Sequence, residues 1–238
     1  MRIDAYGLSD PGKVRKNNED AFFIGEANQL FAVADGLGGL PGGAEASQRV
    51  MELLAENLND LAAEDTGAGL FGLINDIHQI VVQEAFHTYP VTGSGSTLTL
   101  LRIIGENLLI AHIGDSSAFL LRDGKLEKLT VDHTLEQELV TERGEAARKD
   151  MPTEYSHTLT RCLGQQINFH VDQTKKTLRS KDRLILCTDG LTRVVPLTDI
   201  AQTLAANLPP EAITHSLIDQ ANARSGPDNI TVITLIIS

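Results

Sequence analysis

Two short runs of this chain share one build. Phe31-Ala-Val-Ala-Asp35-Gly36 and Leu184-Ile-Leu-Cys-Thr-Asp189-Gly190 are apolar, strand-like stretches that end in a bare Asp-Gly. Two more carboxylates stand where strands begin: Asn18-Glu19-Asp20 precedes Ala21-Phe-Phe-Ile, and Gly226-Pro-Asp228-Asn229 precedes Ile230-Thr-Val-Ile-Thr-Leu-Ile-Ile. Asp115, in Gly114-Asp-Ser, follows a further strand-like run. In an antiparallel sheet the end of one strand lies beside the start of its neighbour, so all five acidic groups can share one rim. Each pair of carboxylates about 4 Å apart would repel by about 4 kcal/mol at an effective dielectric of 20, and a few such pairs rival a typical stability of ~5–15 kcal/mol. Either these groups never meet, or cations hold them.

The periodicities around the carboxylates define a fold class. Three strands are expected over residues 3–8, 21–24 and 30–34, separated by turn-rich Asp-Pro-Gly and Asn-Asn segments. After the glycine-rich stretch 36–43 the apolar period changes to three and four. Ala44, Ser47, Met51, Leu54, Leu58 and Leu61 mark one amphipathic helix, and Leu70, Leu73, Ile74, Ile77, Val81 and Ala85 mark a second. Residues 96–129 read as consecutive hairpins, one of them turned by Asp123-Gly124. A charged helical segment over 134–150 precedes strands expected at 157–163, 168–174 and 182–187, helices near 197–207 and 210–224, and a last strand from Ile230. Strands at both ends and in the middle, with helix pairs between, predict an α+β fold of antiparallel sheets flanked by helices. With 238 residues, one core is enough.

The candidate ligands are all carboxylate or carbonyl oxygens, a set that selects Mg²⁺, Mn²⁺ or Ca²⁺ over zinc or copper. Two such ions about 3.5–4 Å apart can share one carboxylate and lower the pKa of a shared water until it attacks as hydroxide, which is chemistry for phosphoester hydrolysis. A single Asp-Gly is usually a turn, and Asp35 or Asp189 alone reads as readily as a turn or helix cap as it does as a metal ligand. Four such sites in one chain argue against coincidence. Arg15 lies on the loop that leads to Asp20, from which a guanidinium fork can reach over the rim to a phosphate; standing alone it would be a solvated loop residue.

Composition removes several alternatives. A net charge of -12 leaves no basic stripe for a nucleic acid or an anionic membrane. No apolar run approaches the ~18 residues of a membrane span, and the start Met1-Arg-Ile-Asp lacks a signal-peptide pattern, so a soluble chain is expected. Cys162 and Cys187 have no Cys or His at ligand spacing and read as reduced cytosolic thiols. A G-x-G-x-x-G match beginning at Gly36 fails at Pro41, and no P-loop motif occurs. The seven histidines form no His-Glu-x-x-His pattern, and Gly93-Ser-Gly-Ser-Thr is no nucleophile elbow.

Taken in order, Arg15-x-x-Asn18-Glu19-Asp20, Ala34-Asp35-Gly36-x-Gly38-Gly39, Gly95-Ser-Thr97, Gly114-Asp115-Ser116, Asp132-His133-Thr134, Leu159-Thr-Arg-Cys-Leu-Gly164, Cys187-Thr-Asp189-Gly190 and Asp228-Asn229-Ile-Thr231 resemble the metal-dependent protein phosphatases, the protein phosphatase 2C family, in its bacterial branch. The resemblance runs from about residue 7 to residue 236. It implies a four-layer α-β-β-α sandwich of two antiparallel β-sheets flanked by antiparallel helix pairs. It also implies a single phosphatase domain over 1–238, with a flap segment at about 135–157. The implied activity is hydrolysis of phosphoserine and phosphothreonine by a hydroxide bridging two divalent ions, Mn²⁺ or Mg²⁺, in opposition to a Ser/Thr protein kinase.

By position, the resemblance makes Asp35 the ligand shared by both ions, Gly36 a carbonyl ligand of one, and Asp189 and Asp228 ligands of the other. Asp20 and Glu19 would hold metal-bound waters, Asn229 would support Asp228, Arg15 would bind the substrate phosphate, and Asp115 would hold a third ion. Leu37 stands where many eukaryotic members carry the His proposed as proton donor, so a metal-bound water is the expected substitute. Ser117 replaces an Arg common after Gly-Asp-Ser. The expected protein is a cytoplasmic monomer acting on phosphorylated proteins. Its alternatives are a regulatory pseudophosphatase, against which every core ligand position is filled, and a metallo-hydrolase of small phosphoesters.

Overall fold

In the computed structural model residues 1–58, 67–166 and 169–238 are described. Ten strands run β1 (Ile3–Asp10), β2 (Asp20–Gly25), β3 (Leu30–Asp35), β4 (Leu98–Ile104), β5 (Asn107–Ile113), β6 (Ser117–Arg122), β7 (Lys125–Lys128), β8 (Asp172–Thr177), β9 (Arg183–Cys187) and β10 (Ile230–Ile237). They form two five-stranded antiparallel sheets, ordered β1-β10-β9-β6-β7 and β2-β3-β4-β5-β8. The helices are α1 (Gly43–Asn57), α2 (Ala68–Thr88), α3 (Leu135–Arg143), α4 (Asp189–Thr192), α5 (Leu197–Ala205) and α6 (Pro210–Ala223).

Side-chain alternation along the central strands builds four layers. In β3, Phe31 and Val33 point between the sheets, where they meet Leu101, Leu120, Leu186 and Ile233. Leu30, Ala32 and Ala34 point the other way, onto α1 and α2 through Val50, Leu54 and Ile74. The second sheet repeats the arrangement: Ile185, Cys187, Ile230 and Val232 face α5 and α6 through Ile200, Ile213 and Leu217. A strand buried on both faces needs apolar residues at successive positions, which is why β3 and β10 read as continuous runs rather than alternating ones. The expected layered α+β sandwich is the observed one.

Some local expectations change. Residues 157–163, expected as a strand, make only isolated bridges, Leu159 with Thr134 and Leu163 with Ser96, because they cross strand ends instead of joining a ladder. The expected strand at 168–174 is displaced to β8; Asn168 lies outside the described residues, as does Leu61 of the first helix. The charged segment after Thr134 is α3, capped by the Thr134 hydroxyl accepting from the Gln137 amide, followed by 3-10 turns over Glu145–Asp150 and Thr153–Ser156. Gly144, at φ 85°, separates the first turn from α3 in a left-handed conformation that suits glycine.

Candidate metal centre

Register delivers the acidic groups. Asp20 opens β2 and Asp35 closes β3, and the two are direct partners across that pairing. Asp115 follows β5 in the same sheet, whereas Asp189 follows β9 and Asp228 precedes β10 in the other. Strand ends from both sheets therefore meet at one rim. Carboxylate oxygens of Asp35, Asp115 and Asp189 lie within 4.8 Å of one another. The cavity above them has a volume of about 520 Å³ and is lined by Arg15, Leu37, His157 and Arg193 as well as by these acids.

Backbone contacts hold each acid in place. The Asp35 amide donates to the Thr97 hydroxyl at 2.9 Å, the Thr97 amide donates to the Asp35 carbonyl at 2.8 Å, and the Ser96 hydroxyl donates to that carbonyl at 3.1 Å. Gly36 donates its amide to the Glu19 carbonyl at 2.9 Å, and a Cβ on it would stand 2.2 Å from the Gly43 carbonyl oxygen. Gly190 is under the same constraint, since a Cβ there would lie 1.9 Å from the Asn229 carbonyl oxygen. In both Asp-Gly pairs the glycine lets another backbone segment pass against the residue after the acid.

Asp20 is held from the opposite sheet. Its Oδ2 accepts from the Thr188 hydroxyl at 2.8 Å and the Thr231 hydroxyl at 2.7 Å. With the Thr231 proton committed to Asp20, Ser9 donates to Thr231, and Asn18 in turn donates to Ser9. Asn229 works chiefly on the neighbouring loop: its Oδ1 accepts from the Glu19 amide, its Nδ2 donates to the carbonyls of Pro11 and Asn17, and its amide donates to Asp228 Oδ1.

The charge is only partly offset. Burial above all, then the neighbouring carboxylates, hold Asp35 and Asp189 well above the ordinary carboxylate value. Burial raises Asp115 too, and pushes Asp20 to about 7 against the opposing hydrogen bonds from Thr231 and Thr188. Two guanidiniums lie among the acids. Arg15 Nη2 donates to Asp228 Oδ2 at 3.0 Å, and Arg193 Nη1 donates to the same oxygen at 3.1 Å. Arg193 Nη2 also pairs with Asp189 Oδ2. Asp20 Oδ1 and Asp189 Oδ1 are buried without a hydrogen-bond partner among the described residues. Orphaned carboxylate oxygens, an all-oxygen donor set and an excess of negative charge fit hard divalent ions.

Asp228 stands apart from the close trio, drawn to the two arginines. Glu19 lies beside Arg15, both within 3.0 Å of where a Cβ on Gly38 would be, and burial raises its pKa. Sequence reasoning overlooked Arg193 and His157. The signal for Arg193 was its place one helical turn after Asp189, where side chains share a face. His157 ends the charged segment and lines the cavity; burial, with Arg193 assisting, lowers its pKa and favours the neutral ring.

Comparisons with known proteins agree with this geometry. The family model described as Protein phosphatase 2C matches residues 13–221. The serine/threonine phosphatase stp of Listeria monocytogenes is 33% identical over 233 residues, covering 94% of this chain and 92% of that protein. The serine/threonine protein phosphatase PstP of Mycobacterium tuberculosis is 35% identical over 229 residues, covering 94% of this chain and 43% of the relative. Among solved structures, the catalytic domain of PstP in complex with two manganese ions superposes with a TM-score of 0.86 at 34% identity, over 99% of this chain and 98% of that one. Serine/threonine phosphatase Stp1 from Staphylococcus aureus gives 0.91 at 26% identity, over 100% and 96%.

Proposed function

The chain belongs to the protein phosphatase 2C family and is a protein-serine/threonine phosphatase, and from that premise we propose that it removes phosphate from phosphoserine and phosphothreonine of protein substrates at a two-metal centre, opposing a Ser/Thr protein kinase. The observation that carries the reading is the meeting of Asp35, Asp115 and Asp189, from strands of two sheets, within 4.8 Å beneath a cavity that also holds two guanidiniums. Residues 1–238 form one phosphatase domain with residues 135–157 as its flap. The ions are Mn²⁺ or Mg²⁺.

Each side chain has a role in this account. Asp35 would serve both ions, with the Gly36 carbonyl on one and Asp189 and Asp228 on the other. Asp20 and Glu19 would act through waters, and Asp115 would serve a third ion. Bound there, divalent ions supply an activated water for in-line attack on phosphorus and offset charge on the phosphoryl oxygens. Arg15 binds the phosphate through its fork, because a loop residue with 42% of its side chain exposed is free to turn from Asp228 to a substrate. Asn229 fixes the loop that carries Glu19 and Asp20. Thr188 and Thr231 keep Asp20 Oδ2 occupied and leave Oδ1 without a partner among the described residues.

No helix of the described residues is long and apolar enough to cross a membrane. Cys162 and Cys187 are buried free thiols, in keeping with a reducing compartment, and the reading is completed by a cytoplasmic protein acting as a monomer. The deciding experiment compares turnover of a phosphothreonine peptide with that of a nucleotide under Mn²⁺. Preference for the peptide is expected; strong preference for the nucleotide would replace this reading with that of a small-phosphoester hydrolase.

A further inference from the structure

Arg193 sits where the metal is expected. Helix α4 begins at Asp189, so one turn returns the Arg193 side chain to the same face. Its guanidinium then spans two carboxylates that lie far apart in sequence, Nη2 on Asp189 Oδ2 and Nη1 on Asp228 Oδ2. Under the proposed function these two acids hold one of the ions. A carboxylate oxygen engaged by a guanidinium has turned its lone pairs to N–H groups, and a hard ion needs those lone pairs at closer range. The two cations also repel.

Arg15 stands differently, because it comes from a loop and, among the described residues, its ion pair is with Asp228 and not with Asp189. Arg193 has room to leave. It lines both the central cavity and an adjoining hollow bounded by Asp132, Ser156 and Thr192, so its side chain can swing away while α4 stays in place.

We propose that Arg193 is a built-in competitor of the divalent ion at Asp189 and Asp228: without metal its guanidinium neutralises the two carboxylates, and ion binding displaces it. The proposal rests on the metal centre described above. It makes the metal-free fold more stable, and the ion weaker, than the acids alone would.

Calorimetric titration with Mn²⁺, paired with thermal unfolding in chelator, tests this on the full chain. Arg193→Met should bind Mn²⁺ at least about tenfold tighter than the wild type, about 1.4 kcal/mol. Its metal-free melting temperature should fall, with saturating Mn²⁺ closing the gap. Arg193→Lys, which keeps a point charge without the fork, should fall between, and supplies the comparison if the methionine variant does not fold. Arg224→Met removes the same charge at the distant Arg224–Asp199 pair and should match the wild type. Equal affinity in Arg193→Met and wild type, or in Arg193→Lys and wild type where only the lysine variant folds, overturns the proposal, as does equal tightening in Arg224→Met. Failure of both wild type and variants to bind Mn²⁺ removes the metal centre itself, and this inference with it.

Discussion

Asp20 and Asp35 face each other as direct partners across the β2–β3 pairing, so the first residue of one strand and the last of the next bring two carboxylates to a single edge. Across that edge, Thr188 and Thr231 reach from the second sheet to one oxygen of Asp20. The two sheets are thus joined at the site by acids from one and hydroxyls from the other. Divalent ions would complete that junction by balancing the carboxylates that the hydroxyls leave unpaired.

Replacing Asp35 or Asp189 with Asn should lower turnover of a phosphothreonine peptide by about a hundredfold or more, since metal assistance supplies several kcal/mol. Asp35→Asn also removes one of several repelling buried charges, so its metal-free form should melt no lower than the wild type, whereas Asp189→Asn gives up its pair with Arg193 as well and should gain less. Activity assays and circular-dichroism melts on the same samples check both halves.

Arg15→Ala should act mainly on substrate use. A charged hydrogen bond to a phosphate is worth about 1.5–3 kcal/mol, so kcat/KM should fall roughly ten- to a hundredfold while Mn²⁺ affinity stays within a few-fold. An unchanged kcat/KM would remove Arg15 from the substrate's path.

Gly190→Ala tests the close passage of two backbones. The added Cβ would stand 1.9 Å from the Asn229 carbonyl oxygen, against backbone that cannot rotate aside. Overpacking of this kind costs about 1–3 kcal/mol, and here the strain falls between Asp189 and Asp228. Both the melting temperature and the activity should drop, whereas Gly72→Ala, with nothing within 4 Å, should spare both.

The raised carboxylates set a pH dependence with a definite sign. Burial lifts Asp20 to about 7 and holds Asp35, Asp115 and Asp189 above their ordinary values, whereas unfolded aspartates titrate near 4. Between those limits the folded state binds more protons than the unfolded one, so stability without metal declines as pH rises from about 4 to 7. Unfolding in chelator should therefore occur at a higher temperature at pH 6 than at pH 8. Mn²⁺ binding near pH 6 should release protons, seen as a buffer-dependent heat. Gain of metal-free stability between pH 6 and 8 would contradict this.

Much of the layered architecture was legible because the double-sided burial of β3, β9 and β10 writes itself as apolar runs, two of which end in an Asp-Gly and one of which follows an Asp. The helices announced themselves by period, with Val50, Leu54, Ile74 and Ile77 on the buried faces. Residues 157–163 misled because Thr158, Leu159, Thr160, Cys162 and Leu163 give the run a β-branched and apolar content that reads as a strand, yet only Leu159 and Leu163 make bridges. Arg193 was hidden for a different reason. Its importance comes from Asp228, 35 positions away, being folded back onto the turn after Asp189, and only the register of β9 with β10 brings that about.

A crystal structure with Mn²⁺, using anomalous scattering to locate the metal, tests the central claim most directly. At least two peaks are expected at the rim, one of them between Asp35, Asp189 and Asp228, with the Asp35 carboxylate touching both of the first two and Arg193 turned away; a third would sit at Asp115. Manganese sites elsewhere, with Asp189 and Asp228 still paired to Arg193, would contradict the account.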